Sequence, residues 1–155
     1  MIYEIRVSAA LPRPLAAVHH VVRSSEIPSV IQGLLGEVWQ FLREQSVTST
    51  GRNIAIYTGA SDGQPDPLLD AVFGVEVHEV IPSSDRVVAA ETPAGPLVST
   101  VHWGRYDRLG EAHDAVQAWC RANGHRLSGT CWEVYGPWSD DWAKVRTEVI
   151  YLLEP

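Results

Sequence analysis

The sequence is poor in basic residues. Its 155 residues include 12 Lys and Arg against 19 Asp and Glu, a formal net charge of -7, and the arginines are scattered along the chain. Nucleic acids and anionic membranes select clustered positive charge, so we expect neither as a partner. An acidic balance of this kind favours the binding of cations.

Cysteines and long apolar runs are scarce as well. Two cysteines, Cys120 and Cys131, are too few for the disulfide framework of a small secreted protein. No apolar run approaches the roughly 20 residues of a membrane span, and the N-terminal "MIYEIRVSAALPRP" lacks a charged leader followed by an apolar segment. We therefore expect a soluble, cytoplasmic protein with a single domain over residues 1–155.

The sequence does contain two amphipathic segments, 27–46 and 106–124, with apolar residues at three- and four-residue spacing. This spacing predicts helices. Pro28 is suited to open the first helix, Asp107 to cap the second and Asn123-Gly124 to end it. Runs typical of strands surround both helices, at 3–7, 17–24, 53–59 and 71–81 in the first half and at 87–95, 96–103, 130–136 and 147–153 in the second. The segments 58–67 and 136–144 are predicted loops.

The two halves resemble each other in sequence. A shift of 78 residues relates four pairs without a gap: Phe41 and Trp119, Arg43 and Arg121, Gly51 and Gly129, Tyr57 and Tyr135. We interpret this as an internal duplication, with half-repeats at about 1–81 and 87–155. The predicted fold class is α+β, with duplicated strand-helix-strand-strand modules about a pseudo-two-fold axis, a mainly antiparallel sheet and two main helices. A groove along that axis is where a small molecule would be enclosed.

The strand "TCWEVYG" carries a glutamate between aromatic residues. Alternation puts Glu133 and Tyr135 on one face and Trp132 on the other. The 78-residue shift relates Glu133 to Ala55, so only one half carries this carboxylate. If its face lines the groove, a single anionic centre stands among rings, which we predict to be those of Tyr57, Tyr135, Trp39, Trp103 and Tyr106. Ring faces attract cations by roughly 0.5–2 kcal/mol per contact, and a bound cation can offset the desolvation of the carboxylate.

Other arrangements remain open on the sequence alone. A mid-strand glutamate such as Glu133 is often on a solvated sheet face or paired with an arginine. Metal binding is not expected, because His113 and Cys120 lie near each other on one helix but a zinc site would need further ligands at spacings that the sequence does not show. The sequence also lacks a phosphate loop, and we expect no cofactor.

Four segments, "VHWGRYDRL", "AVQAWCRANG", "GTCWEVYGPW" and "VRTEVIYLL", resemble the GyrI-like small-molecule-binding domain. This domain is also the effector-binding half of bacterial multidrug-sensing transcription regulators. The similarity covers nearly the whole chain. Its most specific feature is a glutamate followed two residues later by a tyrosine in the penultimate strand, and Glu133 and Tyr135 match it. One departure is Ile150, at a last-strand position where the family commonly has an aromatic residue.

The resemblance implies a central aromatic pocket, floored by the glutamate, that binds hydrophobic or cationic aromatic small molecules. With no room for a helix-turn-helix domain, we expect a stand-alone binding protein that requires no protein partner. Some relatives hydrolyse cyclopropane-containing antibiotics, so the alternative is a hydrolase in which Glu133, with a raised pKa, is the general base and Tyr135 or Tyr106 donates a hydrogen bond. A third possibility is binding of a partner protein at an exposed sheet edge.

Overall fold

Eight strands and two α-helices make up the fold of the residues that the structure describes. The structure is a computed structural model and describes residues 2–59 and 64–155. The loop predicted at 58–67 therefore lies in part, at 60–63, outside the described residues. In chain order the strands are β1 (Arg6–Ala10), β2 (Pro14–Arg23), β3 (Thr50–Thr58), β4 (Leu68–Val77), β5 (Val88–Glu91), β6 (Gly95–Trp103), β7 (Leu127–Tyr135) and β8 (Arg146–Leu153). The helices are α1 (Ile27–Glu44), between β2 and β3, and α2 (Leu109–Ala122), between β6 and β7.

Both helices form where the apolar spacing predicts them. Pro28 lies in the first turn of α1, where its missing N–H costs no hydrogen bond. Helix α2 is preceded by a 3-10 turn, Tyr106–Arg108, and Asp107 does not cap it; the Asp107 carboxylate instead lies 3.6 Å from the Arg105 guanidinium. Asn123 is the C-cap of α2. Among the described residues, no helix combines the length and the apolar character that a membrane crossing requires.

All eight strands join one antiparallel sheet in the order β1-β6-β8-β7-β3-β4-β2-β5. Replacing each strand by its equivalent in the other half, β1 by β5, β2 by β6, β3 by β7 and β4 by β8, gives the same order in reverse. The helices follow the same rule, since α1 packs on β2 and β4 and α2 packs on β6 and β8. The predicted fold class of duplicated modules about a pseudo-two-fold axis is confirmed.

The pseudo-two-fold axis crosses the sheet between β3 and β7. In this strand pair Ala55 lies directly opposite Glu133. The same two residues are equivalent under the 78-residue shift. A residue lies opposite its own equivalent only next to a two-fold axis, so Glu133 stands beside the axis, at the centre of the sheet.

The sheet is buried on both faces. On the face that carries the helices, strand and helix side chains form the larger apolar cluster, which includes the fully buried Val38, Phe73 and Val116. Alternate strand residues, among them Trp132 and Ile150, form a smaller buried cluster on the other face. A one-residue slip of a strand would exchange the two faces, so the register is strongly specified. This register holds the Glu133 side chain on the helix face.

Candidate functional site

A cleft opens on the helix face of the sheet, between α1 and α2 and over β3 and β7. Its volume is about 1060 Å³, which accommodates a molecule of drug size. We call it the central cleft. The first half contributes an apolar wall of Ile27, Pro28, Ile31, Leu35, Pro67 and Leu69. The second half contributes rings and polar groups, notably Tyr106, His113, Glu133, Tyr135, Trp138 and Tyr151.

Glu133 is buried in the wall of the cleft, with 7% of its surface exposed. Its Oε2 lies 2.7 Å from Nε2 of His113, and the Tyr135 hydroxyl donates to its Oε1. Nδ1 of His113 lies 2.6 Å from the Tyr151 hydroxyl oxygen. Since a carboxylate only accepts, the Nε2–H of His113 donates to Oε2 of Glu133. We call these four residues, His113, Glu133, Tyr135 and Tyr151, the polar cluster.

The pKa of Glu133 reflects two opposing effects. Burial alone would raise this pKa, but the hydrogen bond and charge of His113 and the hydrogen bond from Tyr135 outweigh burial and leave the pKa below its ordinary value of 4.5. The carboxylate is therefore ionised at neutral pH. The raised pKa expected for a glutamate among rings is wrong, because α2 brings a histidine to Glu133 that the strand sequence does not show.

The structure buries two glutamates among the described residues, and their partners differ. Glu76 meets arginines: its Oε1 accepts from N and Nε of Arg52, both at 2.9 Å, and its Oε2 accepts from Nη1 of Arg13 at 3.1 Å. Glu133 has His113 as its partner, and none of the described residues that line the central cleft is a lysine or an arginine. The Glu133 carboxylate therefore borders the cleft without an ammonium or guanidinium group beside it among the described lining residues.

Two equivalent tyrosines, Tyr57 and Tyr135, line the cleft on either side of the axis. Tyr135 donates to Glu133. The Tyr57 hydroxyl lies close enough to Tyr135 to influence the pKa of Tyr135. The Tyr57 hydroxyl is buried, and it makes no hydrogen bond to any described residue. Burial and the charge of Glu133 raise the pKa of both hydroxyls, which therefore stay protonated. An unpartnered buried hydroxyl is costly and uncommon, and a polar ligand atom would relieve it.

A run of rings leads from the polar cluster to the rim of the cleft. Tyr135 meets Tyr106 edge to face, with 5.9 Å between the ring centroids. Tyr106 meets Trp142 at 5.6 Å, and Trp142 meets Trp138 at 4.9 Å, in the same manner. The Arg105 guanidinium lies over the Trp142 ring, 4.9 Å from its centroid. Because edge-to-face packing orients rings, Tyr106 and Trp138 present an ordered apolar surface at the rim.

The structure brings together four of the predicted site residues in the central cleft, Glu133, Tyr135, Tyr57 and Tyr106. Trp39 lies behind the wall: its indole N–H donates to Oδ1 of Asn53 at 2.8 Å, and Asn53 lines the cleft. Trp103 is 47% exposed and lies outside the cleft. It is paired with Arg146 of β8, on the sheet face that carries Ile150 rather than Glu133.

Sequence reasoning missed His113 and Tyr151 as site residues. Tyr151 lies opposite Cys131, on the same face as Glu133, whereas Ile150 faces the other side. The last strand therefore supplies an aromatic ring to the cleft, one residue after the position noted as a departure. The sequence suggests His113 only as a possible metal ligand, and no group of three metal-ligating side chains occurs in the described ranges. The sequence does contain one signal for His113: under the 78-residue shift it corresponds to Leu35, so a polar residue stands in the second half where the first half has an apolar one.

An aromatic cleft between two duplicated modules is the architecture of a small-molecule binding domain. The model of the GyrI-like small molecule binding domain matches residues 3–153, and the chain belongs to this family. The family is the one that the glutamate and tyrosine of the penultimate strand indicated.

Solved structures share the fold. The C-terminal domain of EcmrR has a TM-score of 0.81 to this chain at 18% sequence identity, over 99% of each chain. A hydrolase encoded by lin2189 from Listeria innocua has a TM-score of 0.64 at 10% identity, over 97% of this chain and 92% of that one. SAV2435 bound to tetraphenylphosphonium has a TM-score of 0.66 at 9% identity, over 97% and 94%. No curated protein matches the sequence.

Proposed function

We propose that the chain binds bulky aromatic molecules that carry positive charge, with Glu133 as their counter-charge. One observation carries the proposal: an ionised carboxylate is buried beside a cleft whose described lining includes no lysine or arginine, while the other buried glutamate, Glu76, meets two arginines. A cation in the cleft would gain Coulombic attraction to the ionised Glu133, which no lysine or arginine among the described lining residues already neutralises. A deficit of basic residues over the whole chain favours the same ligands.

Rings would supply the rest of the affinity. Tyr57, Tyr106, Tyr135 and Trp138 all line the cleft, and aromatic faces give both apolar contact and cation attraction with little demand on ligand shape. We propose these residues as the ligand contacts, with Trp39 acting through Asn53 and Trp103 taking no part. The neighbour SAV2435, solved with tetraphenylphosphonium, shows that a protein of this fold holds an aromatic cation.

The test compares tetraphenylphosphonium with triphenylphosphine oxide, a neutral molecule of related shape, by isothermal titration calorimetry at pH 7.5. We expect the cation to bind about tenfold more tightly, since a charge near a buried carboxylate is worth more than 1 kcal/mol at an effective dielectric constant of about 20. Glu133→Gln should abolish this advantage, because the amide keeps the shape and removes the charge. Glu44→Gln, the same change at an exposed position of α1, is the matched control. Equal binding of both probes would refute the proposal.

A second function is hydrolysis of an electrophilic, cyclopropane-containing small molecule. Its support is the Tyr135 hydroxyl held against Glu133, next to the cleft, and the shared fold with the lin2189 hydrolase. Glu133 would take a proton from water as the water oxygen attacks a ring carbon. The electron pair of the opened C–C bond would pass into a carbonyl group of the substrate conjugated with the ring, Tyr135 or Tyr106 would hydrogen-bond the enolate oxygen, and Glu133 would return its proton to the enolate carbon.

Binding is the better supported of the two functions. The lowered pKa of Glu133 makes it a weaker base, and both of its oxygens already accept hydrogen bonds. Prolonged incubation of the protein with a cyclopropane-bearing substrate, followed by mass spectrometry, separates the two. Ring-opened product that is lost in Glu133→Gln would establish the hydrolase, and its absence at high protein concentration leaves binding alone.

A further inference from the structure

The charges around the central cleft are confined to one side. Three acidic residues line it, Asp107, Asp114 and Glu133, and all three come from the second half of the chain. The lining residues that the structure describes in the first half, between Ser24 and Leu69, include no charged side chain. The cleft therefore has a negative end under α2 and an apolar end under α1.

This asymmetry reaches the floor of the cleft. All four residues of the polar cluster have equivalents in the other half under the 78-residue shift. Tyr135 corresponds to Tyr57, but the other three equivalents are apolar: His113 corresponds to Leu35, Glu133 to Ala55 and Tyr151 to Phe73. Leu35 lines the cleft, and Ala55 and Phe73 are fully buried in the core beneath it. Among the described first-half residues that line the cleft, none is a carboxylate.

We propose that the ligand is an amphiphilic monocation that binds in one orientation. The charged group of the ligand lies at the second-half end of the cleft, near Glu133, with Asp107 and Asp114 at the rim. The apolar ring system of the ligand lies against Ile31 and Leu35 of α1. This inference rests on the proposed function, because it assumes that Glu133 attracts the ligand charge, and it adds where the charge lies and how many charges the cleft accepts.

A second positive charge at the far end of a ligand would meet no acidic side chain among the described lining residues of the first half. It would face the apolar wall and lose part of its hydration, a cost that the first-half residues cannot offset. A dication of the same length should therefore bind more weakly than a monocation, although it offers two identical ends to the negative side. A neutral analogue should be weaker than the monocation because Glu133 gains nothing from it.

Gln32 is the position at which the preference for a monocation over a dication can be tested by mutation. It lies on α1, is exposed, and lines the apolar end of the cleft. Gln32→Glu adds a negative charge there with almost no change in volume, so it should create the partner that a dication lacks. Gln40→Glu is the matched control, since Gln40 is also exposed on α1 but is not a lining residue.

Three biphenyl probes test the proposal by isothermal titration calorimetry at pH 7.5: 4-phenylbenzylammonium, the bis-ammonium 4,4'-bis(aminomethyl)biphenyl, and neutral 4-phenylbenzyl alcohol. In the wild type we expect the monocation to bind about tenfold more tightly than the dication, as an unpaired charge in a half-buried site costs more than 1 kcal/mol. Gln32→Glu should narrow this gap about fivefold, the scale of a partly exposed ion pair. Gln40→Glu should leave it unchanged. Circular dichroism and thermal unfolding establish that each variant is folded.

The outcomes separate this inference from the proposed function. A dication that binds as tightly as the monocation, with both weakened by Glu133→Gln, would overturn the inference and leave the function standing. An equal effect of Gln32→Glu and Gln40→Glu would also overturn it. A monocation that binds no better than the neutral alcohol would refute the proposed function itself.

Discussion

The two walls of the central cleft are built from equivalent strand-helix-strand-strand units but differ in chemistry. On the second-half wall, Tyr151 and His113 pack edge to face, 5.5 Å between ring centroids, and are hydrogen-bonded to each other. On the first-half side, Leu35 and Phe73 take the places of His113 and Tyr151, and the Phe73 ring instead packs edge to face against Tyr57, with 6.0 Å between the centroids. The repeated backbone thus sets where side chains meet, while a few substitutions decide whether a wall carries charge.

This difference shows what a buried carboxylate requires from its surroundings. Glu133 remains ionised because α2 supplies His113 and β7 supplies Tyr135 as donors. The equivalent position on α1 is Leu35, which could not serve a carboxylate at position 55. The glutamate and the histidine therefore act as a pair, and the comparison of the two walls can be tested by removing one partner at a time.

The largest effect is expected when the pair is broken. His113→Leu, which copies the residue of the other wall, leaves Oε2 of Glu133 unpaired and removes a hydrogen-bond partner of the Tyr151 hydroxyl. We expect the free energy of unfolding to fall by about 3 kcal/mol, the scale for loss of one partner of a buried charged pair. Urea denaturation at pH 7 measures it. His19→Leu, at an exposed histidine of β2, should change stability little, and an equal effect of both would contradict the assigned role of His113.

A smaller effect distinguishes the two equivalent tyrosines. Tyr135→Phe removes a hydrogen bond to a buried carboxylate and should lower the free energy of unfolding by about 1.5 kcal/mol. Tyr57→Phe removes a buried hydroxyl without a partner among the described residues, and should be neutral to within about 0.5 kcal/mol or slightly stabilising. The same denaturation curves measure both variants. Equal losses would show that the two tyrosines are hydrogen-bonded alike.

The pH dependence of the free energy of unfolding should also show the ionisation of Glu133 in the second-half wall. Because the pKa of Glu133 in the folded chain lies below its ordinary value of 4.5, the folded state binds fewer protons than the unfolded state in this region. The contribution of Glu133 to stability is therefore present above pH 4.5 and is lost as the pH falls through the lower, folded-state pKa. Glu133→Gln removes this part of the dependence.

The measurement is the difference in unfolding free energy between wild type and Glu133→Gln at pH 7 and at pH 3. The difference should shrink at the lower pH. Other carboxylates with lowered pKa values, such as Glu76, affect both proteins equally and cancel. A difference that grows as the pH falls would mean that Glu133 has a raised pKa in the folded state.

The smallest effect on ligand affinity is expected for two tryptophans, one at the rim of the cleft and one outside it. Trp138 lines the rim of the cleft, and Trp138→Ala should weaken the binding of tetraphenylphosphonium about threefold through loss of one ring contact. Trp103→Ala should leave the affinity unchanged, because Trp103 lies outside the cleft on the other sheet face. Calorimetric titration of both variants tests this, and a loss confined to Trp103→Ala would reverse the assignment.

Much of the fold could be predicted because the relevant signals are local or repeated. Apolar spacing located both helices, and the shift that relates Tyr57 to Tyr135 indicated a duplicated fold. Alternation in β7 also put Glu133 and Tyr135 on one face. These inferences need only the geometry of a single element, or the likeness of one half to the other.

The rest of the site depends on contacts between elements, which the sequence does not display. His113 reaches Glu133 only because α2 packs over β6 and β8, and Tyr151 joins them only through the register of β7 and β8. Trp103 was predicted to line the groove but faces the other side of the sheet. Neighbouring residues of β6 point to opposite faces, and the sequence does not show which of them face the helices. The direction of the pKa shift of Glu133 could not be predicted for the same reason, because it depends on the contact with His113.

The position of Glu133 beside the axis limits what any symmetric form of this fold could contain. In a dimer of two identical half-chains, this residue would face its own copy, with the two Cβ atoms about 5 Å apart. Such an assembly would hold either two carboxylates, one of which would have to be protonated, or none. Joining both copies in one polypeptide permits the unequal pair of Ala55 and Glu133, so a single fixed charge at this point is a property that fusion made possible.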